Sequence, residues 1–268
     1  MAKTYAPKPD SHQGTTPGNF VQINTLNMYY EEYGADSDQH PLVLLHGFGG
    51  CTQNWHPFTP QLSVHYRLLV IDLRGHGHST NPENTFTHQE AANDVFLLLE
   101  KLGIDQFSAM GMSTGGMVLL HLATRQPNRI KSMVLISATT HFPDQARAIM
   151  RRASFDTMPE EVRAMYRECA KRGDEQIRQL LMQFNALHEN YDDMNFTAQS
   201  LAIITARTLI VHGDRDNFFP VEIAVNLYRA IPNAALWVIP NGDHVPIFDL
   251  SIPFTSTALQ FLTNSDSK

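Results

Sequence analysis

Five short, unbroken apolar runs constrain this chain more than any other feature. They are Leu42-Val43-Leu44-Leu45, Leu68-Leu69-Val70-Ile71, Met133-Val134-Leu135-Ile136, Leu209-Ile210-Val211 and Leu236-Trp237-Val238-Ile239. Such a run is too short for a helix and lacks the alternation of a strand with one wet face. It fits a strand covered on both sides, as in a parallel sheet wrapped by helices. Helical patterns lie between the runs. Gln89 to Leu102, for example, puts Val95, Leu98, Leu99 and Leu102 on one stripe and stops at Gly103. Phe20 to Tyr33 alternates around a break at Asn24-Thr25-Leu26-Asn27, which predicts a hairpin, and Gln106 to Met110 predicts one strand more. The expected fold is therefore α/β: a mostly parallel eight-stranded sheet flanked by helices.

One segment departs from this rhythm. From His141 to Thr205 no strand-like run occurs. Pro159-Glu160-Glu161 opens a helix that Lys171-Arg172-Gly173 closes, and another runs from Asp174 towards Leu187 with Ile177, Leu180, Leu181 and Phe184 on its apolar side. The expected organisation is a flexible leader over 1–19, an α/β core over 20–140 and 206–268, and a helical cap inserted over 141–205.

Charge and composition narrow the partners. A formal net charge of -7 disfavours nucleic acid, which needs a concentrated positive face. No stretch reaches the ~20 apolar residues of a membrane span, and the polar leader lacks the apolar core of a signal peptide. These features point to a cytoplasmic protein acting on a small molecule away from membranes. The two cysteines, Cys51 and Cys169, imply no disulfide framework; both read as reduced thiols, with a single bridge between them as the alternative. Nothing in the residue pattern specifies the oligomeric state.

The chemistry centres on Gly111-Met112-Ser113-Thr114-Gly115, between a strand-like segment and the helical pattern of Met117 to Thr124. By itself Gly-x-Ser-x-Gly is compatible with an ordinary turn. Between a strand and a helix it predicts a tight, strained turn that projects the serine hydroxyl, with glycines where the backbone packs too closely for side chains. A serine nucleophile needs a base, and the base an orienting acid, in the chain order Ser, Asp or Glu, His. His244 is the one histidine after Asp216, in the loop following the Leu236 strand. The acid belongs in His212-Gly213-Asp214-Arg215-Asp216, where Asp214 and Asp216 compete and residue chemistry does not separate them. An oxyanion needs backbone N–H donors; Phe48, within His46-Gly47-Phe48-Gly49-Gly50, and Thr114 supply them. That glycine run lacks both the dinucleotide and the Gly-Lys-Ser phosphate-loop patterns, so nucleotide binding is set aside. His76 and His78 form a His-x-His pair with no following Asp-His and no cysteine cluster, which argues against a metal site.

These motifs, together with Asp72-Leu73-Arg74-Gly75-His76-Gly77-His78-Ser79 and Gly242-Asp243-His244, resemble the α/β-hydrolase superfamily, and closely its bacterial carboxylesterase and haloperoxidase-like branch. The resemblance spans roughly Phe20 to Leu262. It implies that the acid is Asp216, that Asp72 to Ser79 is a structural turn, and that the reaction is ester hydrolysis through an acyl-enzyme on Ser113, with no metal or organic cofactor. Lactonase, perhydrolase and carbon–carbon hydrolase activities share the triad. The His-Gly-x-Gly-Pro-Gly motif expected of the carbon–carbon group is not matched at His46 to Gly50, and epoxide hydrolases and haloalkane dehalogenases would carry Asp at position 113. A non-catalytic small-molecule receptor is the alternative from a different class. Met112, Met182, Phe184, Phe218 and Val245 are the candidate pocket residues, the first and last two by proximity to catalytic groups, Met182 and Phe184 from the cap helices.

Overall fold

The computed structural model describes residues 18–34, 39–249 and 251–263. Apart from residues 18 and 19, the leader expected over 1–19 lies outside the described residues. Strands β1 (Asn19–Ile23) and β2 (Leu26–Tyr33) form an antiparallel hairpin. Asn24 turns it at a left-handed φ of 52°, a conformation that Asn tolerates better than most residues. Strand β2 pairs antiparallel with β4 (Arg67–Ile71). From there β3 (Pro41–Leu45), β5 (Phe107–Met112), β6 (Ile130–Ile136), β7 (Arg207–Gly213) and β8 (Ala234–Ile239) continue in parallel, in the order β1-β2-β4-β3-β5-β6-β7-β8.

The continuous apolar runs have the expected cause. Within β3, Val43 and Leu45 pack into one core, while Leu42 and Leu44 pack into another on the opposite face. In β4, Leu69 and Ile71 oppose Leu68 and Val70 in the same way. All eight side chains are 0% exposed, and each contributes about 1.5–3 kcal/mol of burial. Phe58 and the helix α1 (Thr59–Leu62) cover one face together with α9 (Phe254–Thr263). The other face is covered by α2 (His88–Lys101), α3 (Thr114–Arg125) and α8 (Val221–Ala230).

Between β6 and β7 lie α4 (Asp144–Arg151), α5 (Glu160–Cys169), α6 (Asp174–Ala186) and α7 (Ala198–Leu201). The extended backbone described there is a single bridge, His141 to Asn195. Two cap side chains tie this block to the Asp72–Ser79 turn. Arg172 donates to the carbonyls of Gly75, Gly77 and Ser79, and Gln176 Nε2 donates to those of Gly75 and Gly77. The turn is itself organised by buried Asp72, whose carboxylate accepts from the N–H groups of Thr52 and His78. A Cβ on Gly77, at a φ of +50°, would lie 2.0 Å from that carboxylate, so no side chain fits there.

The cysteines correct the expectation of reduced thiols. Cys51, in the loop after β3, and Cys169, at the end of α5, form a disulfide with their Cα atoms 5.4 Å apart. They are 118 residues apart in sequence, and only the packing of α5 over that loop brings them together. Bridging so long a loop restricts the unfolded chain strongly. Reduction, or Cys169→Ser, is expected to lower the unfolding free energy by about 2–4 kcal/mol. Urea unfolding with and without reductant checks this; identical midpoints would contradict it.

Candidate active site

The turn after β5 holds Ser113 at φ 48° and ψ -112°, which is unfavourable for a residue with a side chain. Neighbouring backbone makes that turn necessary. A Cβ on Gly111 would lie 2.4 Å from the carbonyl carbon of Gly115, and one on Gly115 would lie 2.3 Å from the carbonyl oxygen of Leu45. Strand β3, the turn and the start of α3 therefore meet backbone to backbone. The Ser113 N–H donates to the Ile136 carbonyl at 2.7 Å, which holds the strained residue against β6.

Two loops bring the partners of Ser113. The loops following β7 and β8 touch at Gly213, where a Cβ would lie 2.4 Å from the carbonyl oxygens of Gly242 and Asp243. The Arg215 N–H also donates to the Gly242 carbonyl at 2.8 Å. His244 Nε2 lies 2.9 Å from Ser113 Oγ, and its Nδ1 lies 2.8 Å from Asp216 Oδ2. The other oxygen of Asp216 accepts from the N–H groups of Phe218 and Phe219 at 2.7 and 2.9 Å. Burial by itself would raise the Asp216 carboxyl; the bond to His244, its charge and the two N–H donors outweigh that and hold it below the usual range. Asp214 is exposed, with Arg215 beside it, and lies outside this chain of bonds. The choice that residue chemistry left open is thus a matter of direction: Asp216 turns inward and Asp214 outward.

On the opposite side of Ser113 is the loop from His46 to Cys51. Burial lowers the basicity of His46, which accepts from the Leu73 N–H through Nε2 and reaches the Gly47 carbonyl through Nδ1. Beyond the loop, Thr52 donates its hydroxyl to Glu31 and its N–H to Asp72. Burial of Glu31 is outweighed by bonds from His56, Tyr33 and Thr52, which bring its carboxyl down to about 2. These anchors fix both ends of the glycine-rich turn. The N–H groups of Phe48 and Thr114 have no protein acceptor among the described residues.

A cleft of about 320 Å³ opens beside Ser113 and His244, lined by Phe48, His88, Met117, Phe142, Ile149, Met150, Tyr166, Phe184, Leu187, Phe218 and Val245. Three expected pocket residues, Phe184, Phe218 and Val245, are in its wall. The other two are not. Met112 is buried behind the turn and borders an adjoining groove with Met165, Tyr166 and Phe248. Met182 is 65% exposed on the outer side of α6, because it falls off the stripe formed by Ile177, Leu180, Leu181 and Phe184. Elsewhere in the cap, Phe155 and Met158 pack against Ile177, whereas Met150 reaches the cleft. His76 and His78 do not converge: His76 is enclosed near His46, Phe48 and Phe86, and His78 lies against Tyr29.

Tyr166 and His88 escaped the sequence reading. Tyr166 lies so close over Gly49 that a Cβ there would come within 2.4 Å of its ring. Glycine at 49 is thus required by this contact as well as by its φ of +75°. No spacing rule connects α5 to the loop after β3, so no local signal marked Tyr166.

Known proteins similar to this chain share its fold. The family described as alpha/beta hydrolase fold matches residues 40–184, more than half of the chain. The serine hydrolase BPHL of Mus musculus is 27% identical over 238 residues, covering 84% of this chain and 79% of that protein. An uncharacterized carboxylesterase, nap, of Bacillus subtilis strain 168 is 34% identical over 96 residues, 35% of this chain. The aligned part spans about a third of several such relatives, 32% of the Bacillus protein. Among solved structures, MGS-M2, an alpha/beta hydrolase enzyme from a Medee basin deep-sea metagenome library, superimposes with a TM-score of 0.79 at 23% identity, covering 93% of this chain and 99% of that one. This chain belongs to the alpha/beta hydrolase family.

Proposed function

We propose that this protein is a serine hydrolase that cleaves carboxylic esters through an acyl-enzyme on Ser113. The observation that carries the reading is the continuous chain of bonds from Asp216 through His244 to Ser113 Oγ, at 2.8 and 2.9 Å. His244 removes the serine proton as Oγ attacks the ester carbonyl, and Asp216 holds the imidazole in the required tautomer. The carbonyl oxygen becomes an anion between the N–H groups of Phe48 and Thr114, which have no competing protein acceptor among the described residues. His244 then gives its proton to the departing alcohol and activates a water that releases the acid. Relatives named serine hydrolase and carboxylesterase support the class. The apolar cleft wall suits the organic part of an ester.

Three substitutions test the reading. Ser113→Ala is expected to abolish turnover of chromogenic esters while the circular dichroism spectrum stays that of wild type. Asp216→Asn is expected to lower kcat by about 10³–10⁴, and Asp214→Asn to leave it within a few-fold. A wild type that turns over no ester would remove the esterase assignment and favour the receptor or another scissile bond. A larger loss in Asp214→Asn would mean that the wrong carboxylate has been assigned.

Substrate size is expected to respond to the cleft wall and not to the cap in general. Phe184→Ala enlarges the cleft and should shift the preferred acyl length upward, an apolar pocket discriminating by roughly 1–3 kcal/mol per methylene. Met182→Ala, on the outer surface, should leave the chain-length profile unchanged. A kcat/KM series over acyl lengths for the two variants decides the point.

A further inference from the structure

The cleft contains a second oriented imidazole that ester chemistry does not use. His88 is the first residue of α2, is 0% exposed, and forms part of the cleft wall with Met117, Phe142, Met150 and Leu187. Its Nδ1 lies 2.7 Å from Oδ2 of Asp193, a residue between α6 and α7 that is also buried. That carboxylate also accepts the N–H groups of His88 and Gln89 at 2.9 and 3.0 Å, at the positive end of α2. Burial would raise Asp193; the bonds from His88 and Gln89 outweigh it and keep the group an ionised acceptor. An acceptor there requires a proton on Nδ1. The other ring nitrogen, Nε2, is a buried atom with no hydrogen-bond partner.

A buried polar atom without a partner is costly, and one in the wall of a substrate cleft is a specificity element. We propose that His88 is a substrate-recognition residue whose Nε2 forms a hydrogen bond with a hydroxyl group on the organic part of the substrate. The preferred substrate class is then a hydroxy-substituted ester, and plain alkyl esters are the poorer ones. Asp193 is a positioning residue that fixes the ring. The His88 ring meets those of Phe86 and Phe142, and the ring of Phe86 in turn meets Phe48. A discriminating polar contact commonly changes selectivity more than an added methylene does, because the analogue lacking it leaves the site group unpaired.

This inference rests on the esterase reading, and its test separates the two. Methyl esters of linear acids carrying a hydroxyl at successive chain positions are compared with their unsubstituted counterparts in a pH-stat assay. Wild type is expected to favour at least one hydroxy ester over its counterpart by about tenfold or more in kcat/KM. His88→Phe should erase that preference, bringing the ratio of kcat/KM for the hydroxy ester to that for its unsubstituted counterpart down to about one. Absence of any preference in wild type overturns the inference, whether or not the variant folds. Retention of the preference in a folded His88→Phe protein overturns it too. If wild type cleaves no ester, the esterase reading fails. Calorimetric binding of the matching hydroxy and alkyl amides, which needs no turnover, then decides: tighter wild-type binding of a hydroxy amide, lost in His88→Phe, supports the role, and equal binding overturns it.

Discussion

Everything in this molecule that bears on chemistry depends on how closely three stretches of backbone approach at the Ser113 turn. With a Cβ at Gly111 or Gly115 closer than 2.5 Å to neighbouring main chain, the end of β5, the start of α3 and the end of β3 could not coexist. Their contact costs a strained serine, and such strain persists only where the surroundings over-determine it. Here they do. Strands β3 and β6 flank β5 in a sheet whose interior side chains are fully buried, and Ser113 is tied to β6 through its own N–H. The same approach sets the first N–H of α3 beside the loop that follows β3.

The second layer of organisation lies in the cap. Helix α5 meets the glycine-rich loop in two ways, through Tyr166 over Gly49 and through the Cys51–Cys169 disulfide. Just beyond it, Arg172 and Gln176 satisfy carbonyls of the Asp72–Ser79 turn. That turn in turn holds Thr52, at the far end of the loop, through Asp72. Cap, turn and loop thus form a closed circuit of contacts around one side of the cleft. A cap fixed at so many points shapes the cavity chiefly through the side chains it inserts, such as Met150, Tyr166 and Phe184.

Much of this was legible from residues alone, for identifiable reasons. Strands buried on both faces leave unbroken apolar runs, and β3 and β4 lie where those runs are. Gly-Met-Ser-Thr-Gly could be read because close backbone approach leaves glycine as its signature. The Asp214 and Asp216 ambiguity could not be resolved by composition, since both precede the same helix. A usable signal was nonetheless present: Asp216 bonds the N–H groups two and three residues on, the habit of an Asp in a turn, ahead of Pro220. Met182 was misplaced although its offset from the Ile177–Phe184 stripe was already visible. The disulfide was legible only as the alternative to reduced thiols, and Tyr166 and the His88–Asp193 pair were not legible. Each joins positions far apart in sequence, 118 residues in the first case and 105 in the last. No local periodicity encodes such a meeting.

The most direct test of the central claim is the structure of the protein after reaction with an alkyl fluorophosphonate. If the strained turn serves to hold Ser113 between a base and the N–H groups of Phe48 and Thr114, the phosphorus is bonded to Ser113 Oγ. One phosphoryl oxygen then lies about 2.7–3.1 Å from the N–H nitrogens of both Phe48 and Thr114. A phosphorylated residue other than Ser113, or a phosphoryl oxygen turned away from both N–H groups, would contradict the account.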